Sequence, residues 1–172
     1  MADDTPLLTL RFAIKRDGTP VLSLTRRDGS VAWQRQKHFF PVHDLGHYAI
    51  ESVLGLRQAF WGMMADGWDF ADFGTPWPRG PMPNLAEALL AEVVAGWMDK
   101  FAHTVVDEES GAAELNAHLA AYCAQHAAPE PRVITADEFA RIRAMRDTLA
   151  RRWHALAPGE AMELSFPAGG EG

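Results

Sequence analysis

The sequence predicts an α+β fold, a small antiparallel sheet of three N-terminal strands plus a C-terminal strand packed with about five helices. Three observations predict it. The first third alternates apolar and polar residues around Asp-Gly pairs, the middle is helical in its periodicity, and a last alternating run precedes the Gly-rich end.

The elements follow in order. From Leu8 to Lys15, the apolar Leu8, Leu10, Phe12 and Ile14 alternate with Thr9, Arg11, Ala13 and Lys15, the period of a half-buried strand. Asp17-Gly18 turns the chain into a run over 20–26, and Asp28-Gly29 turns it into another over 31–37. Pro41 suits a first helical turn and opens a helix over about 42–55, closed near Gly55. A shorter helix follows over about 57–66. Residues 68–83 carry four prolines and no sustained period. Asn84 with Glu87 makes a capping-box arrangement for a helix over about 85–105. An alanine-rich helix over 112–127 comes next, interrupted by AAPEP. Thr135 with Glu138 is a fuller capping box, and its helix runs to about 156, before Pro158-Gly159. Met162, Leu164 and Phe166 alternate with Glu163 and Ser165, so this last strand can pair with the N-terminal ones.

At 172 residues, 48% hydrophobic and 23% charged, the chain has the make-up of a single domain over 1–172, with 1–6 and 167–172 expected as flexible tails. Sixteen basic against 23 acidic residues give a net charge of −7, which is no nucleic-acid footprint. There is no apolar run of about 18 residues to span a membrane. The opening MADDTPLL lacks the form of a signal peptide, and the lone Cys123 suits a reducing compartment, so a cytoplasmic location is expected.

The chemistry gathers in residues 42–56, VHDLGHYAIESVLGL. His43 and His47 stand four apart and Glu51 four further on, so all three share a helix face at the border of the apolar side marked by Leu45, Ala49 and Val53. Two imidazoles one turn apart can converge on one ion. Zinc is the first expectation for such a divalent metal site, ahead of iron, nickel or manganese. Glu51 is either the third ligand or the partner that orients a ring. His43 and Glu51 are separated by about 12 Å of helix axis, so holding one ion between all three requires a bend near Gly46 or a ligand from elsewhere. Glu87 is the outside candidate, set against its plainer role in the capping box. Asp44 is a possible catalytic proton acceptor or water positioner. Glu92, Asp99 and His103 share an arc opposite Trp97 and Phe101 and read as a solvated face.

His43-Asp44-Leu45-Gly46-His47 resembles the zincin H-E-x-x-H helix, with aspartate at the position of the general-base glutamate. That resemblance implies zinc ligands at His43 and His47, while the shorter Asp44 does not imply peptidase activity. The same string is similar to the His-Asp pair of HD-domain phosphohydrolases. That likeness implies a further histidine from an earlier helix, where this sequence reads as strands and offers only His38. More broadly, HDLGHYAIE followed by LGL and AFWGMMADGW resembles a small bacterial family with an HDLxHYxxE core, which makes His43–Glu51 its signature and implies no reaction.

The remaining features have plainer readings. Trp68, Phe70, Phe73 and Trp77 stud the proline-rich connection as a lid or, more simply, as packing. Phe60, Trp61, Met63 and Met64 suit the core or a contact within a homodimer. Arg141, Arg143, Arg146, Arg151 and Arg152 read as a solvated helix surface, and Cys123 as a small buried hydrophobe. His118, Tyr122 and His126 repeat the four-residue spacing, but the outer pair is too far apart for one ion. Together these readings give a metal-dependent, hydrolase-like enzyme acting on a small-molecule substrate. The alternative is a non-catalytic interaction or structural protein whose His/Asp/Glu block is a hydrogen-bonded network.

Overall fold

A computed structural model describes residues 6–37, 39–73, 81–105 and 107–166. The alternating runs form β1 (Leu8–Ile14), β2 (Pro20–Arg26) and β3 (Val31–Arg35). Both Asp-Gly turns form as expected. Gly18 and Gly29 take φ of +83° and +84°, a region costly for side chains other than glycine. In each turn the aspartate accepts from the backbone N–H two residues on: Asp17 from Thr19 and Asp28 from Ser30.

The C-terminal strand β4 (Ala161–Phe166) pairs antiparallel with β1, placing Leu8 opposite Phe166, Leu10 opposite Leu164 and Phe12 opposite Met162. The sheet order is therefore β3-β2-β1-β4, with β1 hydrogen-bonded on both sides. Its inner face carries Leu8, Leu10, Phe12, Leu22, Leu24 and Leu164 into one apolar cluster. There Phe12 meets the edges of Trp61 and Trp153 with ring centroids 6.4 and 6.5 Å apart.

Five α-helices cover that face and extend away from it. They are α1 (Phe40–Leu54), α2 (Phe60–Ala65), α3 (Leu85–Phe101), α4 (Glu108–Gln125) and α5 (Ala136–His154). Pro41 lies in the first turn of α1, and Gly55 closes the helix in the left-handed conformation at φ +65°. The capping box of Thr135 and Glu138 opens α5. The N-cap of α4 is Asp107, which accepts from the backbone of Ser110, so this helix starts one turn earlier than its alanine run suggests. In α3 only half of the expected box forms. Asn84 accepts from the Glu87 backbone, while the Glu87 carboxylate accepts from the backbone N–H groups of Arg57 and Gln58, at 2.8 and 2.6 Å.

A second apolar cluster joins α3, α4 and α5, with Leu90, Val94, Leu115, Leu119, Phe139 and Ile142 among its members. Helix α1 stands between the two clusters, giving Leu45 to the sheet side and Ile50 to the helical side. It packs on both α3 and α5, and this shared position brings its polar edge against theirs. Trp61, Met63 and Met64 are buried in the sheet-side core, so these apolar side chains of α2 are used within the chain. Cys123 is buried and unpaired by any disulfide, as expected. No helix among the described residues is long and apolar enough to cross a membrane. Residues 1–5 of the expected tail over 1–6, all of the expected tail over 167–172, His38 and Trp77 lie outside the described residues.

Candidate metal centre

The two α1 histidines do share one face. Their ring centroids lie 4.9 Å apart, edge to face, and the His43 ring stacks on Phe39 at 5.7 Å. Ligand atoms of His43, His47 and Glu92 all lie within 4.8 Å of one another, close enough for one metal ion. Glu92 comes from α3. Of the two solutions open to a helix that must gather three ligands, a bend or a donor from elsewhere, the second supplies this group.

Each histidine is also held from a second direction. Asp99, two turns beyond Glu92 on α3, lies 2.7 Å from His43 Nδ1 through Oδ2. Its Oδ1 accepts from the Arg146 guanidinium at 2.8 Å. Arg146 is thus not part of a solvated surface but the α5 end of a chain running Arg146, Asp99, His43. His47 Nε2 lies 3.1 Å from Glu92 Oε2, and His47 Nδ1 lies 3.6 Å from Glu51 Oε1. Glu51 is fully buried, and its other oxygen accepts from the backbone N–H groups of Trp61 at 2.9 Å and Gly62 at 3.4 Å. The buried carboxylate therefore ties α1 to the start of α2 and faces the inner side of the His47 ring. At 3.6 Å neither Glu51 Oε1 nor His47 Nδ1 has a hydrogen-bond partner among the described residues, and Glu51 stands outside the group formed by His43, His47 and Glu92.

Glu87 stands outside this group. Its carboxylate is engaged by Arg57 and Gln58, because the turn after Gly55 presents two backbone donors that need an acceptor. The third carboxylate beside the histidines is Glu92, which the sequence places on a solvated arc. Its side chain is 65% exposed, so that reading is right about solvent and blind to the neighbouring helix. Asp99 was missed for the same reason. Two carboxylates seven residues apart do share a helix stripe, and that spacing is the only trace of the pair in the sequence. His103 is exposed and lies outside the group, as are His118 and His126.

Charge follows the geometry. Burial works against a charged His47, but Glu51 and Glu92 outweigh it and push the imidazole up to about 10. The bond to His47 pulls Glu92 below the ordinary glutamate range. Burial raises Glu51. For Asp99 burial is outweighed by His43 and Arg146, which hold the carboxyl low. Asp44, also buried, is pushed up to about 6 by desolvation, against the pull of His47, His43 and a side-chain bond from Gln36.

His43, Asp44, His47 and Glu92 line a cavity of about 410 Å³ whose walls also include Phe60 and Phe73, while Glu51 and Asp99 stand behind the rings, outside its lining. Phe73 packs against Phe60 at 4.8 Å and Trp68 at 5.4 Å, so the first part of the proline-rich connection both packs on the domain and walls the site. In comparisons with protein-family models, curated proteins and solved structures, nothing matches the chain.

Proposed function

We propose that this chain is a metal-dependent, hydrolase-like protein that holds one divalent ion, zinc in the first place, through His43, His47 and Glu92. The observation that carries the reading is the convergence of three ligand atoms from two helices on one cavity wall. Two imidazoles and one carboxylate are a donor set that suits zinc, with a fourth position left for substrate or water. The surroundings support it. Asp99 bonds the His43 ring at 2.7 Å, the arrangement that fixes tautomer and orientation in metal sites, and the Glu51 carboxylate lies 3.6 Å from the His47 ring.

An ion held there supplies a Lewis acid, which polarises a carbonyl and lowers the pKa of water. Among the chain's own groups, Asp44 is the proton acceptor. It lines the same cavity, and a carboxyl titrating at about 6 takes and returns a proton near neutrality more readily than an ordinary aspartate. Phe60 and Phe73 limit water on one side.

The test is a titration of chelator-treated protein with zinc against a chromophoric competitor. Wild type takes up one equivalent, and His43→Ala, His47→Ala and Glu92→Ala each weaken uptake strongly. Asp44→Asn retains the metal and loses hydrolysis of an activated ester. If the wild type takes up no metal, and the double His43→Ala/His47→Ala variant loses thermal stability equally with and without chelator, the block is a hydrogen-bonded network and the proposal fails.

A further inference from the structure

The walls of the cavity carry information about what enters it. Beyond the histidines and carboxylates, they include Phe40, Phe60, Phe70, Phe73, Met63 and Met82, with Gln34 as an uncharged polar group. The rings form a path away from the proposed ligands. His47 lies 5.7 Å from Phe60, Phe60 lies 4.8 Å from Phe73, and Phe73 lies 5.4 Å from Trp68. No lysine or arginine lines the cavity among the described residues, and its charged lining groups are Asp44 and Glu92 beside the histidines. Arg146, which approaches the centre from α5, is bonded to Asp99 and stands outside the lining.

These facts narrow the substrate. A phosphate, sulfate or free carboxylate group is best held by guanidinium or ammonium partners; away from the proposed ion and the histidines the described lining offers none, so an anionic arm gains nothing from these walls and would have the Asp44 carboxyl beside it. An apolar arm, by contrast, gains from the phenylalanine path, and a volume of about 410 Å³ suits a small molecule. Resting on the metal-centre reading, we infer that the substrate is an uncharged carboxylic ester or amide with an apolar, preferably aromatic, arm. Its carbonyl lies at His43, His47 and Glu92, and its arm runs past Phe60 toward Phe73. Hydrolysis adds the elements of water across the acyl bond: the acyl carbon gains the oxygen, and the alcohol or amine leaves with a proton, so no oxidant or further reactant is needed.

The experiment uses the full chain and three metal-binding probes that differ in arm and charge. Zinc-loaded protein is titrated with 4-phenylbutanohydroxamic acid, acetohydroxamic acid and phenylphosphonic acid. The expected result is at least about tenfold tighter binding of the phenylbutyl probe than of acetohydroxamic acid, since a buried ring contributes more than one tenfold step, with the phosphonate weakest. Phe73→Ala reduces the ratio of phenylbutyl to acetohydroxamic acid affinity while zinc stoichiometry stays at one. Equal affinity for the two hydroxamates, or tightest binding of the phosphonate, overturns the inference while leaving the metal reading intact. Metal-free protein is titrated in parallel with N-phenyl-1-naphthylamine, a neutral fluorescent aromatic, whose binding is expected to weaken in Phe73→Ala. Should zinc fail to bind while this probe responds as expected, the metal reading has failed and the apolar path stands. If 4-phenylbutylamine competes better than the neutral probe, the acidic groups select a cation, and the uncharged class is wrong.

Discussion

Replacing Glu51 by glutamine separates its two roles. Its Oε2 accepts from Trp61 and Gly62, and its Oε1 faces His47 Nδ1 at 3.6 Å. A glutamine amide must keep its oxygen toward the two backbone donors, because the reverse orientation sets N–H against N–H. Its NH₂ then faces His47 Nδ1, so that nitrogen gives up its proton and becomes the acceptor, and the proton that remains sits on Nε2. That is the atom directed at Glu92. Loss of such an orienting partner costs about 10–100-fold in metal affinity, or about 1.4–2.8 kcal/mol. The fold should survive, since both backbone donors keep their acceptor. Glu51→Ala removes the acceptor as well. An orphaned buried donor costs about 1–3 kcal/mol, and the longer Gly62 bond belongs at the low end; with the cavity left behind, the total loss is about 3–5 kcal/mol. Zinc competition and urea unfolding read the two effects separately. Wild-type zinc affinity in Glu51→Gln, or equal urea midpoints for the two variants, would refute the reasoning.

Three further outcomes follow from the same geometry. Glu87→Ala lowers the urea midpoint by the equivalent of about 1–3 kcal/mol, by orphaning the Arg57 and Gln58 donors, and leaves zinc affinity at the wild-type value; a lost metal would return Glu87 to the ligand set. Zinc uptake near pH 7.5 releases a proton, because Glu51 and Glu92 hold His47 protonated up to about 10 in the metal-free protein; calorimetry in buffers of different ionisation enthalpy measures it, and no buffer dependence contradicts it. For Glu138, burial raises the carboxyl, but Arg132 and the Thr135 backbone together hold it below the ordinary value of 4.5. A depressed acid stabilises the fold above its unfolded-state pKa, and that contribution disappears as pH falls through the folded value. Between about pH 5 and pH 3, wild type should therefore lose stability more steeply than Glu138→Gln, which keeps the capping box without ionising; parallel pH slopes would show that the Arg132 pair contributes nothing.

The sheet was legible because its signals are local. The alternation in 8–15 and 162–166, together with two Asp-Gly turns, leaves little choice of face or hairpin, and β1 pairs with both β2 and β4. The first half of the site was legible on the same terms, since a spacing of four residues puts His43 and His47 on one face of any helix. The other half was not. Glu92 and Asp99 become partners only when α3 lies along α1, and Arg146 only when α5 closes from the other side. A helical projection reports which residues share a stripe. It does not say which helix the stripe meets, and polar residues opposite Trp97 and Phe101 look solvated until it does. Glu87 illustrates the converse: half of its capping pattern forms, through the Asn84 side chain, yet the Glu87 carboxylate turns to backbone donors of the 57–58 turn, a contact no periodicity encodes.

X-ray absorption at the zinc edge of the one-to-one zinc complex tests the central claim most directly. Two imidazole nitrogens at about 2.0–2.1 Å and at least one carboxylate oxygen at about 2.0–2.2 Å are expected around the ion, with the imidazole signal halved in His47→Ala. A shell of oxygens alone, unchanged by that substitution, would contradict it.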